Sequence, residues 1–215
     1  NLVMQNKKKP VTCIIGGSKI STKISVIKNL IRNINNLIIV GAMANNFLVY
    51  KSLKVGKSLI ENNTKEIIKE IYKKAKENNC EIIIPNDCMV GKSFEGKGEN
   101  KNLDKIEDDE IILDIGLNTV SSINQIIDQS NTVLWNGPAG YFENKNFAVG
   151  TKSIAENISK NTLERSLISV VGGGDTLSAI NQSKIKLSFS HLSTAGGAFL
   201  EYLEGKDLPG LSVLK

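Results

Sequence analysis

Residues 167–180 read LISVVGGGDTLSAI and contain residue types that bind phosphate. A β-branched apolar run passes directly into three glycines, then Asp175 and Thr176, then a helical pattern. A helix N-terminus attracts phosphate through its unpaired N–H groups, and glycine leaves room for the phosphate to approach. Thr176 offers its hydroxyl and N–H, whereas the carboxylate of Asp175 would repel a phosphate unless a cation lay between them. We therefore expect Mg²⁺ at Asp175, with a simple helix cap as the alternative.

Two lysines follow a second glycine turn, in the stretch GGSKISTK. Their spacing of four predicts that Lys19 and Lys23 lie on one face of a helix. Neighbouring ammonium groups repel each other, which favours an anion between them; in so lysine-rich a chain, two solvated lysines are the alternative. The stretch STAGGAF, residues 193–199, is a further glycine turn before an apolar helical pattern and a second candidate phosphate site.

Short apolar runs alternate with longer helical patterns along the whole chain. The strand patterns end at glycines: Gly16 and Gly17, Gly41, Gly116, Gly137 and Gly140, and Gly172 to Gly174. Helical patterns follow in residues 19–34, up to Tyr50, and in 63–79, 121–129 and 147–160. The polar segment 91–109 between them indicates a hairpin or a surface excursion.

This alternation predicts an α/β fold, a three-layer doubly wound and mostly parallel sheet of the Rossmann-like kind. Ligands of such sheets bind beyond the carboxyl ends of the strands, near the switch point. Because the glycines lie at five of these ends, we expect them to converge on one edge of the sheet and to form the site there.

Composition excludes several function classes. The 215 residues are 40% hydrophobic and 23% charged, and no apolar run approaches the ~20 residues of a membrane span. The first ten residues carry no apolar leader segment, so we expect a soluble, cytoplasmic protein with no membrane partner. The net charge of +5 is spread along the chain and aromatics are only 5%, which argues against nucleic acid as a partner. Three cysteines without a CxxC and a single histidine exclude a His/Cys metal cluster.

The well-known phosphate fingerprints do not occur. No GxxxxGK[ST] string is present, and a GxGxxG starting at Gly172 fails because Leu177 stands where glycine is needed. A nicotinamide oxidoreductase is therefore disfavoured.

Five stretches closely resemble, in this order and at similar spacing, the C-terminal half of the phosphoglycerate kinase family. They are PVTCIIGGSKISTKISVIKNL, TVLWNGPAGYFE, FAVGTKSIAENI, SVVGGGDTLSAI and SHLSTAGGAFLEYLEGKDLPG, spread over residues 10–210. The resemblance implies a cytoplasmic, monomeric glycolytic phosphotransferase built from two lobes. The N-terminal lobe binds 3-phosphoglycerate or 1,3-bisphosphoglycerate through arginines, and the C-terminal lobe binds Mg-ADP or Mg-ATP.

We accordingly expect residues 1–215 to form the C-terminal nucleotide-binding lobe without its N-terminal partner. The chain has only two arginines, Arg32 and Arg165, and neither lies in a glycine-rich turn. By itself it should bind nucleotide without appreciable turnover. The alternative is a stand-alone nucleotide-binding module that lacks catalysis.

The resemblance also assigns roles to single residues. Lys19 follows the transferring phosphoryl group and Lys23 contacts the nucleotide phosphates. Asp175 holds Mg²⁺ and Thr176 a phosphate oxygen, while Gly173 and Gly174 give amide and space. Catalytic roles fall on Lys19, Gly174, Gly196 and Gly197, the last two presenting helix-end amides to the charge that develops in transfer.

The remaining assignments concern the nucleoside. Glu143 takes the ribose hydroxyls, Asn136 contacts the sugar–phosphate side, and the slot is lined by Gly17, Gly41, Gly116 and Pro138. Three positions depart from the family pattern: Val40 and Ala42 replace glycines and predict a tighter adenine pocket, and Ala195 replaces a glycine of the amide cradle.

Overall fold

A computed structural model describes residues 8–182 and 186–194 of the chain. Its strands are β1 (Val11–Ile15), β2 (Asn36–Ile39), β3 (Glu81–Ile83), β4 (Asp87–Gly91), β5 (Glu99–Asn102), β6 (Ile111–Ile115), β7 (Thr132–Asn136), β8 (Ile168–Gly172) and β9 (His191–Ser193). Its α-helices are α1 (Ile24–Leu30), α2 (Met43–Tyr50), α3 (Lys65–Glu77), α4 (Leu117–Gln129), α5 (Val149–Arg165) and α6 (Gly174–Gln182). None of these helices is long and apolar enough to cross a membrane.

The main sheet of the described residues has the order β3-β2-β1-β7-β8-β9, with every neighbouring pair parallel. From β1 the chain first builds outward to β2 and β3, and it then returns beside β1 to build β7, β8 and β9 on the other side. The switch point therefore lies between β1 and β7, and a crevice opens there at the carboxyl ends of the strands.

Helices cover both faces of this sheet. On one face Ile27 of α1, Phe47 of α2 and Ile71 of α3 share a buried cluster with alternate residues of β1. On the other face Trp135 of β7 packs with Ile158 of α5. Because helices enclose the main sheet on both faces, all five residues of VTCII in β1 are buried, and all but Thr12 are apolar. The three-layer, doubly wound fold expected from the sequence is confirmed.

A second, antiparallel sheet has the order β5-β4-β6. For residues 91–109 the sequence predicts a hairpin or a surface excursion, and the structure has a hairpin: this segment supplies its turn and its second strand, β5, while the first strand, β4, begins earlier at Asp87. The expectation that the strand ending at Gly116 contributes to the main edge is wrong, because β6 pairs antiparallel with β4 in this smaller sheet. An apolar run of five residues does not reveal which sheet it joins, and the hairpin supplies the partner that decides it.

Two buried carboxylates attach the small sheet to the helix layer. Asp87 of β4 accepts hydrogen bonds from the backbone N–H groups of Asn118 (2.9 Å) and Thr119 (2.8 Å), in the first turn of α4. Asp114 of β6 accepts one from the backbone N–H of Gly150 (2.8 Å), at the start of α5. Each carboxylate therefore caps a helix N-terminus, where negative charge is favourable.

The pKa values of the two capping carboxyl groups are shifted in opposite directions. Burial alone would raise the pKa of Asp87, but hydrogen bonds from Thr119 and Asn118 outweigh it and hold that pKa below its usual value. For Asp114 burial dominates and raises the pKa to about 7, against the pull of the backbone N–H groups of Gly150 and Ile115.

Candidate functional site

A cleft of about 490 Å³ opens at the carboxyl edge of the main sheet, beside the switch point. Its floor is made by the turns after β1, β2 and β7, and its walls by α2, residues 57–59 and the small sheet. The backbone positions on it include Gly17, Gly41, Pro138 and Gly140; the apolar side chains include Leu48, Leu59, Phe94, Leu113 and Tyr141; the polar ones include Asn45, Lys57, Asp114, Glu143 and Asp175.

The floor is formed where the turns after β1 and β7 cross. The N–H of Gly16 donates to the carbonyl of Asn136 (2.8 Å). A side chain on Gly16 would collide with the carbonyl oxygen of Pro138, and one on Gly137, at φ +100°, with the backbone of Gly16. Only glycine permits this approach. The N–H of Gly41 donates to Ala139 (3.1 Å), so the turn after β2 is fixed to the same floor.

Lys23 lies beneath the floor and connects its parts. Its Nζ donates to the carbonyl oxygen of Gly16 (2.6 Å) and to Oδ1 of Asn136 (2.8 Å). Nδ2 of Asn136 in turn donates to the carbonyl of Gly172 (3.0 Å), at the end of β8. Burial lowers the pKa of Lys23 to about 8. An ammonium with so low a pKa gains much from an added anion, because the anion restores the stabilisation that water would give.

Lys19 is exposed and lies outside any helix. The expectation that Lys19 and Lys23 share a helix face is wrong, because the chain turns at Gly17 (φ +117°) and regular α-helix begins only at Ile24. Oε2 of Glu61 accepts a hydrogen bond from the N–H of Ser21 (3.1 Å). Hydrogen bonding from the side chain of Ser21 is the main cause of a lowered pKa of Glu61, and the backbone N–H adds to it. The structure thus brings Lys23 into the floor and leaves Lys19 on the open side of its turn.

Gly173 and Gly174, which follow β8, differ in the physical reason for glycine. Gly173 adopts φ +102°, and a side chain there would collide with Nδ2 of Asn136. Gly174 is the first residue of α6, and beyond its own helix and its chain neighbours no atom of the described residues lies within 4 Å of where its side chain would be. The packing of the described residues therefore does not require glycine at position 174, whereas a phosphate on the helix N-terminus would.

Asp175 and Thr176 point in different directions. Asp175 is exposed and lines the cleft. Thr176 is completely buried, and its Oγ1 accepts a hydrogen bond from the N–H of Gly137 (2.7 Å). The hydroxyl of Thr176 is therefore engaged in holding the turn after β7, and its predicted contact with a phosphate oxygen stays a prediction.

The residues at this edge fit Mg²⁺ carried in by phosphates. The described residues contain no group of three or more potential metal-ligating side chains, so no protein cage for a resident metal is built from them. Mg²⁺ keeps several waters and is commonly bound through one or two carboxylates together with substrate phosphates. Asp175, next to an open helix N-terminus, matches that donor set.

The other predicted site residues divide into three groups. Glu143, Pro138, Gly41 and Gly17 line the cleft, as does Ala42. Gly116 is not among the lining residues: its N–H donates to the carbonyl of Asp87 (3.0 Å), and the carboxyl group of Asp87 fills the space of a side chain. Val40 packs in the core and not on the cleft, so the tightening expected from it is wrong. Gly196, Gly197 and Ala195 lie outside the described residues.

Sequence reasoning missed the apolar wall of the cleft. Leu59, Phe94 and Tyr141 are 57%, 49% and 37% exposed, yet all three face the same cleft. The rings of Phe94 and Tyr141 meet edge to face, with centroids 5.0 Å apart. The available signal was Phe94 itself, an aromatic residue within an otherwise polar hairpin. An apolar slot continuous with a glycine floor suits a flat organic ring that carries charged groups at one end.

Fold and site together define a doubly wound α/β protein with a ligand cleft at the switch point of its sheet. The family model described as phosphoglycerate kinase matches residues 1–206. The chain belongs to the phosphoglycerate kinase family.

Individual relatives agree with this assignment. The phosphoglycerate kinase of Xanthobacter autotrophicus is 45% identical over 209 residues, which are 96% of this chain and 53% of the relative. That of Bartonella quintana is 41% identical over 214 residues, covering 99% and 54%. The structure of phosphoglycerate kinase from Coxiella burnetii superposes with a TM-score of 0.92 at 39% identity, over 99% of this chain and 54% of that one. The chain thus spans about half the length of the curated relatives that it matches.

Proposed function

We propose that this chain is the Mg-ADP- and Mg-ATP-binding lobe of a phosphoglycerate kinase. That enzyme moves a phosphoryl group between 1,3-bisphosphoglycerate and ADP, giving 3-phosphoglycerate and ATP. One observation carries the proposal: a single cleft joins an apolar slot at one end to a glycine floor at the other. The half-buried Lys23 holds this floor from beneath, and Asp175, in the first turn of α6, lines the same cleft. Base, sugar and phosphates of a nucleotide follow one another in the same order.

Each part of the nucleotide has a matching group. The ring would lie between Leu59 and the Phe94–Tyr141 pair, and Glu143 would accept hydrogen bonds from the ribose hydroxyls. The phosphates would meet the amides at Gly173 and Gly174 and the positive charge of Lys23. Mg²⁺, held by Asp175 and the phosphates, would neutralise part of their charge.

Phosphoryl transfer needs little covalent chemistry from the protein, so positioning and charge stabilisation account for most of the rate. Lys19, exposed beside the floor, is suited to follow the moving phosphoryl group because nothing in its turn restrains it to one phosphate. The amides at Gly174 would stabilise developing negative charge from a fixed position. Gly196 and Gly197 keep the same role by resemblance.

The acid substrate requires other residues. Bidentate recognition of carboxylate and phosphate favours arginine. Arg165 lies at the end of α5, where its guanidinium donates to Oδ1 of Asn161 and to the carbonyl of Asp128, and Arg32 follows α1. Neither lines the cleft. We therefore propose that 3-phosphoglycerate or 1,3-bisphosphoglycerate is bound by an N-terminal lobe and that residues 1–215 alone have no appreciable turnover.

We also propose that the enzyme to which this lobe belongs is monomeric and cytoplasmic, acts in glycolysis, and has no nucleic-acid or membrane partner. A stand-alone nucleotide-binding module is the second candidate, since the same cleft would serve it equally well.

Calorimetry and a coupled assay test the proposal together. We expect the purified chain to bind ADP in the presence of Mg²⁺ and to bind it more weakly in EDTA, with no measurable turnover. Adding a separately expressed N-terminal lobe of a relative should restore some activity, whereas a stand-alone module would stay inactive. Absence of nucleotide binding would refute the proposed function, and turnover by the chain alone would refute the proposed division between two lobes.

A further inference from the structure

Asn45 lies in α2 on the wall of the cleft and is 1% exposed. Its Nδ2 donates to the carbonyl oxygen of Leu59 (2.9 Å). This contact fixes the orientation of the amide, because a carbonyl accepts hydrogen bonds only from the NH₂ side. Oδ1 of Asn45 is consequently left buried, without a hydrogen-bond partner among the described residues.

A buried acceptor without a partner is costly, and native proteins rarely keep one unless a ligand or an ordered molecule satisfies it. Asn45 stands among Leu48, Leu59 and Ile112, all lining the apolar end of the cleft. A leucine in place of Asn45 would match these neighbours and remove the unpaired oxygen, at the cost of the hydrogen bond to Leu59. The amide therefore indicates that a hydrogen-bond donor reaches this end of the cleft.

The donor has to be carried by something that the apolar slot accepts. If the slot holds the base of a nucleotide, as proposed above, the candidate donors are groups on the edge of that base. The 6-amino group of adenine is a donor on a flat apolar ring. A 6-oxo purine instead presents an acceptor at that position, and the amide cannot turn to meet it without losing Leu59.

We propose that Asn45 is a specificity-determining residue, whose Oδ1 accepts a hydrogen bond from the 6-amino group of a purine nucleotide. This inference rests on the proposed function. Lys57 is the cationic residue on the same stretch of wall, and its exposed ammonium faces solvent as well as the cleft. The ammonium of Lys57 is not held in one orientation as the amide of Asn45 is, so it would attract the nucleotide electrostatically without selecting its base.

The test compares ADP with purine riboside 5′-diphosphate, which lacks only the 6-amino group, by calorimetry in the presence of Mg²⁺. The unmodified chain should prefer ADP by about 10- to 100-fold, the range expected for one buried hydrogen bond whose loss leaves an acceptor unpaired. Asn45→Leu should bind both nucleotides with similar affinity. Asn124→Leu is the matched control, since Oδ1 of Asn124 is also buried and has no hydrogen-bond partner within the described part of the chain, but Asn124 lies on α4 and does not line the cleft. It should retain the preference.

Two results would overturn the inference: equal affinities in the unmodified chain, as expected if Oδ1 is satisfied by water, or a preference that survives Asn45→Leu. If neither nucleotide binds to the unmodified chain, the proposed function fails and the inference fails with it. Should Asn45→Leu not fold, the side-chain amide resonances of Asn45 in the unmodified chain decide instead. At saturating nucleotide they should shift farther with ADP than with purine riboside 5′-diphosphate, and equal shifts would overturn the inference.

Discussion

Lys23 is expected to take up a proton when a nucleotide binds. Burial lowers the pKa of its ammonium from 10.5 to about 8, where it donates to Gly16 and Asn136. A phosphate brought to the same floor would favour the charged form and raise that pKa again. At pH 8 the free protein carries this proton about half of the time, so binding should take up about half a proton per site.

The sign of the pH dependence follows directly. Because the nucleotide binds the protonated form better, affinity falls as pH rises through the pKa of the free protein. If the bound pKa lies well above 9, the loss is about tenfold between pH 7 and pH 9. At pH 6.5 the lysine is already charged and almost no proton should be taken up.

Calorimetry in buffers of different ionisation enthalpy measures this uptake. Lys23→Arg is the control, because its guanidinium stays charged at every pH used and should abolish the uptake at pH 8 while keeping a cation in the floor. If the unmodified chain and Lys23→Arg take up the same number of protons at pH 8, Lys23 is not the titrating group. The lowered pKa of Lys23 would then not contribute to the affinity for phosphate.

Three further outcomes are expected. Gly174→Ala should weaken ADP binding about tenfold or more while leaving the free energy of unfolding unchanged or raising it by up to about 1 kcal/mol, since alanine suits a helix better and meets no neighbouring element among the described residues. Gly137→Ala should instead lower the melting temperature. Equal ADP affinity in Gly174→Ala and the unmodified chain would show that no phosphate lies at that position. Asp175→Ala should abolish the Mg²⁺ dependence of ADP binding with the melting temperature kept, and a dependence that persists would place the metal elsewhere. In competition, ADP should displace 2′-deoxy-ADP from the unmodified chain, and Glu143→Gln should narrow the difference; equal binding of the two sugars would exclude a ribose role for Glu143.

Local patterns in the sequence were sufficient for most of the fold. The buried strands and glycine turns of the main sheet follow from apolar runs that end in glycine, a pattern that parallel strands impose by themselves. The position of β6 could not be predicted from these patterns, because β6 pairs with a strand of the hairpin and the sequence does not show that pairing. Lys19 and Lys23 were placed on one helix face by their spacing, but the turn at Gly17 delays the helix past both.

The parts of the candidate site that backbone geometry determines could be predicted from the sequence. The parts where side chains from distant segments meet could not. Glycine marks a close approach in any context, so the floor of the cleft could be read from the chain. Leu59, Phe94 and Tyr141 come from three separate loops, and no spacing rule connects them. Oδ1 of Asn45 lacks a partner in residues 8–182 and 186–194 because the contact with Leu59 fixes the amide, and a contact between two such segments cannot be predicted from the sequence.

The caps formed by Asp87 and Asp114 have a consequence for how this cleft can be redesigned. Both carboxylates bind backbone N–H groups, which every residue except proline supplies, so several side chains in the first turns of α4 and α5 can be exchanged without detaching the small sheet. Thr119 and Gly150 are exceptions, because the hydroxyl of Thr119 also donates to Oδ1 of Asp87 (2.6 Å) and a side chain on Gly150 would collide with Asp114. A library that varies Phe94 and its neighbours on the small sheet would therefore sample new ligand specificities while the small sheet keeps its position against the carboxyl edge of the main sheet.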